Sequence, residues 1–72
     1  MEDLKLGLYQ HFKGGYYEVI GLAEHTETLE EMVIYRSYSK EKELWVRPKE
    51  MFLGNVLVDG QEVPRFRYIS EL

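Results

Sequence analysis

The residues of this sequence that are best suited to bind a ligand lie around its only tryptophan, Trp45. Arg47 follows two residues later, and Tyr35 and Arg36 precede it in an apolar, β-branched stretch. An arginine guanidinium over a tryptophan ring gains about 0.5–2 kcal/mol and presents several planar hydrogen-bond donors. If it is exposed, such a cluster can bind a peptide, a carboxylate, a phosphate or stacked bases. The alternative is that Trp45 belongs to the core and Arg47 covers it with its aliphatic stem.

Two histidines raise the question of a metal site or a proton donor. A turn at residues 13–15 places His11 beside Tyr17, whereas His25 lies further along the same predicted strand. At about 3.3 Å per residue the two histidines are roughly 26 Å apart, too far for one ion unless Gly21 bends the strand sharply. We therefore expect no metal site and no cofactor, and we retain His11 and Tyr17 as candidate binding residues at a pocket mouth. The alternative for His11 is a half-buried ring bonded to the backbone or to a tyrosine.

Residues for covalent catalysis are poorly placed. The chain has no cysteine, Ser37 and Ser39 lie beside a turn, and Ser70 lies in the tail. None of these serines has the strand-to-helix turn of a nucleophile elbow. The Gly14-Gly15 pair lacks the Gly-Lys-Ser/Thr half and the following helix of a phosphate-binding loop. We predict that the protein is not an enzyme.

Length and charge limit the function classes further. A chain of 72 residues is expected to form one domain, residues 1–72, with loosely held termini at residues 1–6 and 69–72. The start is acidic, and no segment is apolar over the length of a secretory signal or a membrane span, so we expect a cytoplasmic location and no membrane partner. The net charge of −4 argues against general nucleic-acid binding.

Aromatic side chains supply much of the apolar surface that the chain can bury. Three phenylalanines, six tyrosines and one tryptophan are many for so few residues. A domain of this size buries only roughly 60% of its unfolded surface, and without cysteine it has no disulfide to stabilise it. We therefore expect some rings to be exposed to a ligand or buried between two copies.

The hydrophobic pattern predicts a mainly β fold of five to six short antiparallel strands. Gly21 indicates a bulge, Asp59-Gly60 indicates a type I′ hairpin turn, and residues 26–31 form a loop with at most one helical turn. Residues 49–53 are expected to form a single 3₁₀ turn. Such elements fit a small, SH3-like, partly open barrel. The predicted strands cover residues 7–12, 16–25, 33–36, 44–47, 56–58 and 61–63, and Phe66 and Tyr68 either extend the last strand or hold the tail.

The register of the hairpin at residues 32–48 decides which side chains surround Trp45. With a four-residue loop at residues 39–42, Tyr35 lies opposite Val46 and Arg36 lies opposite Trp45. This register directs both Arg36 and Arg47 away from the core, and we favour it for that reason. A shift of one residue would instead pair Tyr35 with Trp45.

Four segments of the sequence share one pattern: Tyr9-x-His11-Phe12-Lys13-Gly14-x-x-Tyr17-x-Val19, Ala23-x-His25, Glu31-x-Val33-x-Tyr35-Arg36 and Leu44-Trp45-x-Arg47-Pro48-x-x-Met51-Phe52. In this pattern the chain resembles a small bacterial domain family of unknown function, with the similarity running from about Gly7 to Phe66. The resemblance implies an SH3-like barrel, in agreement with the strand pattern. It implies no activity and no catalytic residues, because none is established for the family. Its most specific part is the segment Trp45-x-Arg47-Pro48-x-x-Met51-Phe52, together with the turn His11-Phe12-Lys13-Gly14.

Together these observations predict a non-enzymatic binding module. It would recognise a peptide or a small anionic ligand through an aromatic and arginine surface. Two other functions remain open: self-association, with surplus rings buried between copies, and single-stranded nucleic-acid binding, which needs several arginines on one face. The candidate ligand-binding residues are Trp45, Arg47, Arg36, His11, Tyr17 and Tyr35.

Overall fold

The computed structural model describes residues 4–38 and 43–72, which form seven β-strands and one short helix. The predicted mainly β fold is confirmed, with more strands than expected. The elements in chain order are β1 (Gly7–His11), β2 (Tyr16–Glu24), β3 (Glu31–Ser37), β4 (Trp45–Pro48), α1 (Lys49–Phe52), β5 (Asn55–Val58), β6 (Gln61–Pro64) and β7 (Phe66–Ser70).

Five strands form one open antiparallel sheet in the order β4-β3-β2-β1-β7, and β5 pairs with β6 in a separate two-stranded sheet. The turn after β1 closes with a hydrogen bond from the Gly14 amide to the His11 carbonyl at 2.7 Å. Gly14 has a φ of 111°, which glycine adopts without a Cβ penalty. In the second sheet, Asp59 and Gly60 have φ values of 52° and 82°, as a type I′ turn requires.

A β-bulge interrupts β2. Its register against β3 shifts between Val19 and Gly21, where the sequence predicts a bulge. The residues after β2 form a loop, as expected, in which the His25 side chain takes part. His25 Nδ1 accepts hydrogen bonds from the amides of Glu27 at 3.1 Å and Thr28 at 3.3 Å. His25 is therefore a loop-forming residue.

The register of β3 and β4 differs from the one favoured on sequence grounds. Tyr35 pairs with Trp45 and Val33 with Arg47, so the favoured register is wrong and the one shifted by one residue is observed. The reason is aromatic packing: residues directly opposite one another share a sheet face, and this register sets the Tyr35 and Trp45 rings edge to face, 5.8 Å apart. The predicted loop at residues 39–42 lies outside the described residues.

The core lies on one face of the five-stranded sheet. α1 has four residues where a 3₁₀ turn was expected, and it places Phe52, fully buried, against that face. The Phe52 ring stacks on Phe66 with centroids 4.0 Å apart and planes 4° from parallel. No helix in the described part of the chain is long and apolar enough to cross a membrane. The buried side chains are Leu4, Tyr9, Val19, Val33, Tyr35, Phe52 and Phe66.

Candidate functional site

An open groove lies beside the aromatic core, next to β4, the terminal strand of the five-stranded sheet. Its volume is about 500 Å³. We call it the Trp45 groove. It brings together five of the six residues predicted as a binding site; Arg36 is not among them. The lining residues are His11, Tyr17, Tyr35, Leu44, Trp45, Val46, Arg47 and Phe66.

The walls of the Trp45 groove are aromatic rings in contact with one another, most of them edge to face. Tyr17 lies at the centre, with its centroid 5.8 Å from Tyr35, 5.7 Å from Phe66 and 6.0 Å from Trp45. Trp45 is 41% exposed although it touches two of these rings. It therefore belongs to the margin of the core and also presents ring surface to solvent.

Arg47 supplies a positive charge that no carboxylate of the described residues neutralises. Its Nε donates to the Tyr35 hydroxyl at 3.2 Å, and Nη1 donates to the Met51 sulfur at 3.5 Å. Both partners are neutral. The salt bridges within residues 4–38 and 43–72 use Arg36 and Lys49 instead. The guanidinium is thus held in place without losing its charge, which suits it to bind an anion.

His11 adds a titratable group to the same groove. It lies opposite Phe66 in the pairing of β1 with β7, with ring centroids 4.9 Å apart. Its Nδ1 accepts a hydrogen bond from the Lys13 amide at 3.1 Å, so the neutral ring carries its proton on Nε2. Burial, followed by the positive charges of Arg47, Arg65 and Lys13, lowers the pKa of His11 below its ordinary value.

Arg36 lies on the other face of the sheet. It is directly opposite Glu18 in the pairing of β2 with β3, and both Nε and Nη2 donate to Glu18 Oε1, at 3.2 and 3.1 Å. Arg67 also lies on this outer face, where Nη2 donates to Gln10 Oε1 at 2.9 Å. The prediction that Arg36 forms a cluster with Trp45 is therefore wrong. The arginines do not form one continuous face of the kind that a nucleic-acid strand would need.

Sequence reasoning missed several neighbours of the groove. Arg65 and Lys13 act on His11 electrostatically, and Phe66 forms part of the wall. Lys13 could have been found from its position two residues after His11. Arg65 and Phe66 come from the far end of the chain, and no local pattern joins them to Trp45.

The chemistry that this arrangement offers is recognition of a negative charge beside a planar or apolar group. Aromatic walls bind flat or apolar surface, and a fixed guanidinium binds a carboxylate with directed hydrogen bonds. In the described part of the chain, His, Asp and Glu do not gather in threes as a metal centre would require.

The fold and the groove define a small, mainly β domain with an open aromatic recess. The sequence belongs to a family described as "Protein of unknown function (DUF1653)", which matches residues 7–68. The structure is similar to the crystal structure of a DUF1653 protein from Bordetella bronchiseptica, with a TM-score of 0.85 and 29% sequence identity. The match covers 97% of this chain and 92% of the other. No curated protein sequence matches the chain.

Proposed function

We propose that this protein is a small binding module whose Trp45 groove recognises a peptide segment carrying a carboxylate. The observation that carries the proposal is the position of Arg47. Its guanidinium is fixed by two neutral partners, lines an aromatic groove and has no carboxylate partner among the described residues. An acidic side chain would complete this set of interactions.

The electrostatic surroundings favour the same ligand. The positive charges of Arg65 and Lys13, like that of Arg47, lower the pKa of His11. The groove is thus locally positive in a chain whose net charge is −4. Local potential, more than net charge, determines which groups a cleft attracts at short range.

The shape of the groove favours an extended segment over a compact small molecule. The recess is open along β4 and is lined by rings from four strands, β1, β2, β3 and β7, besides Trp45 itself. Open aromatic grooves of this kind suit extended peptides, whose alternate side chains fill successive contacts.

Trp45 is the only tryptophan, so its emission reports on the groove directly. The test uses a short peptide, acetylated and amidated at its ends, in which glutamate alternates with leucine, and a second peptide with glutamine at each glutamate. We expect only the glutamate peptide to shift the Trp45 emission. Arg47→Gln should weaken this binding at least about tenfold, equivalent to about 1.4 kcal/mol.

Arg36→Gln is the matched control, because it removes the same charge from the opposite face of the same sheet, on the neighbouring strand β3. We expect it to change the affinity by less than about twofold. Equal binding of the two peptides, or equal losses in the two variants, would contradict the proposal.

A further inference from the structure

The groove borders an open strand edge. β4 is the terminal strand of the five-stranded sheet, paired on one side with β3. An edge strand presents backbone N–H and C=O groups without partners, and proteins usually protect such edges with charges, prolines or bulges. Here Leu44, Trp45 and Val46 are 57%, 41% and 60% exposed. Within residues 4–38 and 43–72, no turn or loop forms a backbone hydrogen bond to residues 43–47.

The direction of the side chains links this edge to the groove. Trp45 and Arg47 are two residues apart in one strand, so they share the face on which Tyr35 and Val33 lie. A strand added beside β4 would lie about 4.8 Å away, with alternate side chains on that same face. Every second side chain of the added strand would therefore reach Trp45 or Arg47.

We infer that an extended acidic peptide binds by adding to the open edge of β4 as a further strand, with one of its carboxylates against Arg47. This inference rests on the function proposed above and specifies how the ligand binds. Main-chain hydrogen bonds to β4 supply affinity for an extended backbone, and the Trp45 groove selects the side chains.

Charge complementarity decides between a peptide and a second copy of this chain. Both edge strands of the sheet, β4 with Arg47 and β7 with Arg67, carry an arginine and no carboxylate. A second copy therefore has no carboxylate within either edge strand to place against Arg47. Its β4 would bring another Arg47, and its Arg67 lies on the outer face. An acidic peptide instead brings the opposite charge to this position.

The experiment replaces single backbone N–H groups of the glutamate–leucine peptide with N-methyl groups, one position at a time. In an added strand, alternate residues direct their N–H towards β4. We expect N-methylation to weaken binding about tenfold or more at every second residue and by less than about twofold at the residues between. Amide exchange measured by NMR provides a second readout. The peptide should slow exchange of those amides of residues 45–47 that face away from β3 and leave that of β7 unchanged.

The outcomes separate the two proposals. An alternating loss together with slowed exchange in β4 supports strand addition. Binding that needs Arg47 but shows no alternation overturns strand addition and leaves the proposed function standing. Binding that is indifferent to Arg47→Gln overturns the proposed function and this inference with it. Dimerisation of the protein through β4 in light scattering, abolished by Val46→Glu, would overturn the choice of a peptide as the occupant of this edge.

Discussion

The hydroxyl of Tyr35 accepts a hydrogen bond from Nε of Arg47 at 3.2 Å, and so joins the buried core to the charged end of the groove. Tyr35 is 5% exposed, whereas Arg47 is partly exposed. A buried, rigid side chain thus fixes the direction of a side chain that solvent can reach. Removing the hydroxyl should leave the charge of Arg47 unchanged but allow its guanidinium to adopt other orientations.

Tyr35→Phe tests this positioning role. We expect a stability loss of about 1 kcal/mol for the missing hydrogen bond and a several-fold weaker affinity for the glutamate peptide. Tyr9→Phe is the matched control, because Tyr9 is equally buried and its hydroxyl donates to the Lys5 carbonyl at 2.6 Å, away from the groove. Urea unfolding and titration of Trp45 emission measure the two effects. Equal affinity in the two variants would show that Tyr35 does not position Arg47.

His11 should make stability depend on pH. Because the pKa of His11 is lowered in the folded state, the unfolded chain binds more protons between that value and about 6.5. Its contribution to stability is therefore full above about pH 6.5 and is lost as the pH falls towards the lowered value. Urea unfolding at about pH 7.5 and about pH 5.5 should show a loss in the parent protein and a smaller loss in His11→Gln.

His11 should also make ligand affinity depend on pH, in the direction opposite to that of stability. A bound carboxylate in the groove favours the protonated ring and raises the pKa of His11, so the complex takes up protons. We expect the affinity for the glutamate peptide to rise between about pH 7.5 and about pH 5.5, while the glutamate side chains stay ionised. In His11→Gln this rise should be absent. An unchanged rise in that variant would assign it to another group.

The stack of Phe52 on Phe66 should dominate the stability of the core. Phe52→Ala empties a fully buried site and should cost about 3–5 kcal/mol, a large part of the total for a domain of this size. Leu53→Ala is the control, because Leu53 is the next residue and is 52% exposed. We expect it to cost less than about 1 kcal/mol in urea unfolding. If Phe52→Ala does not fold, Phe52→Leu should fold with an intermediate midpoint, and a midpoint unchanged from the parent would refute the role of the stack.

Gly7 should not tolerate a side chain. Its φ is +134°, and a Cβ there would lie 2.5 Å from the backbone oxygen of Ser70 in the neighbouring strand. Gly7→Ala should cost more than about 2 kcal/mol, because strain and a backbone clash add together. Gly21→Ala is the comparison, since a Cβ there meets no atom within 4 Å. We expect it to change the midpoint of urea unfolding by less than about 1 kcal/mol in either direction.

Local sequence was sufficient for most strands and turns. The bulge near Gly21 and the Asp59-Gly60 turn follow from residues that are neighbours in the chain. A glycine inside a strand often marks a bulge, and aspartate and glycine tolerate the positive φ of a type I′ turn. In the structure, five of the six predicted binding residues line one groove. They lie on adjacent strands whose alternation is visible in the sequence.

The register of β3 against β4 could not be obtained in this way. The register depends on whether Tyr35 pairs with Trp45 or with Val46. Choosing between them requires comparing the free energies of two packed arrangements of residues that are distant in the sequence. The prediction considered the free-energy cost of placing an arginine near the core. It did not consider the hydrogen bond that Arg47 donates to the Tyr35 hydroxyl. For the same reason it set Trp45 and Arg47 on the outer face with Arg36, whereas they lie on the face of Tyr35. The sequence could not predict that Phe66 forms part of the groove wall, because Phe66 belongs to the last strand, far from Trp45 in the chain.

The β5–β6 hairpin has a sheet of its own, and its base is closed by a single loop hydrogen bond from the Arg65 amide to the Gly54 carbonyl at 3.0 Å. The carbonyl of Arg65 then accepts from the amide of Phe12 at 2.9 Å, which ties that base to the turn after β1. A two-stranded ribbon is only marginally stable by itself. The hairpin is therefore the part of the fold that should open first, in a local fluctuation that leaves the five-stranded sheet intact. Its tip, the exposed Asp59-Gly60 turn, is the natural place to lengthen the chain or to attach a probe without disturbing ligand recognition.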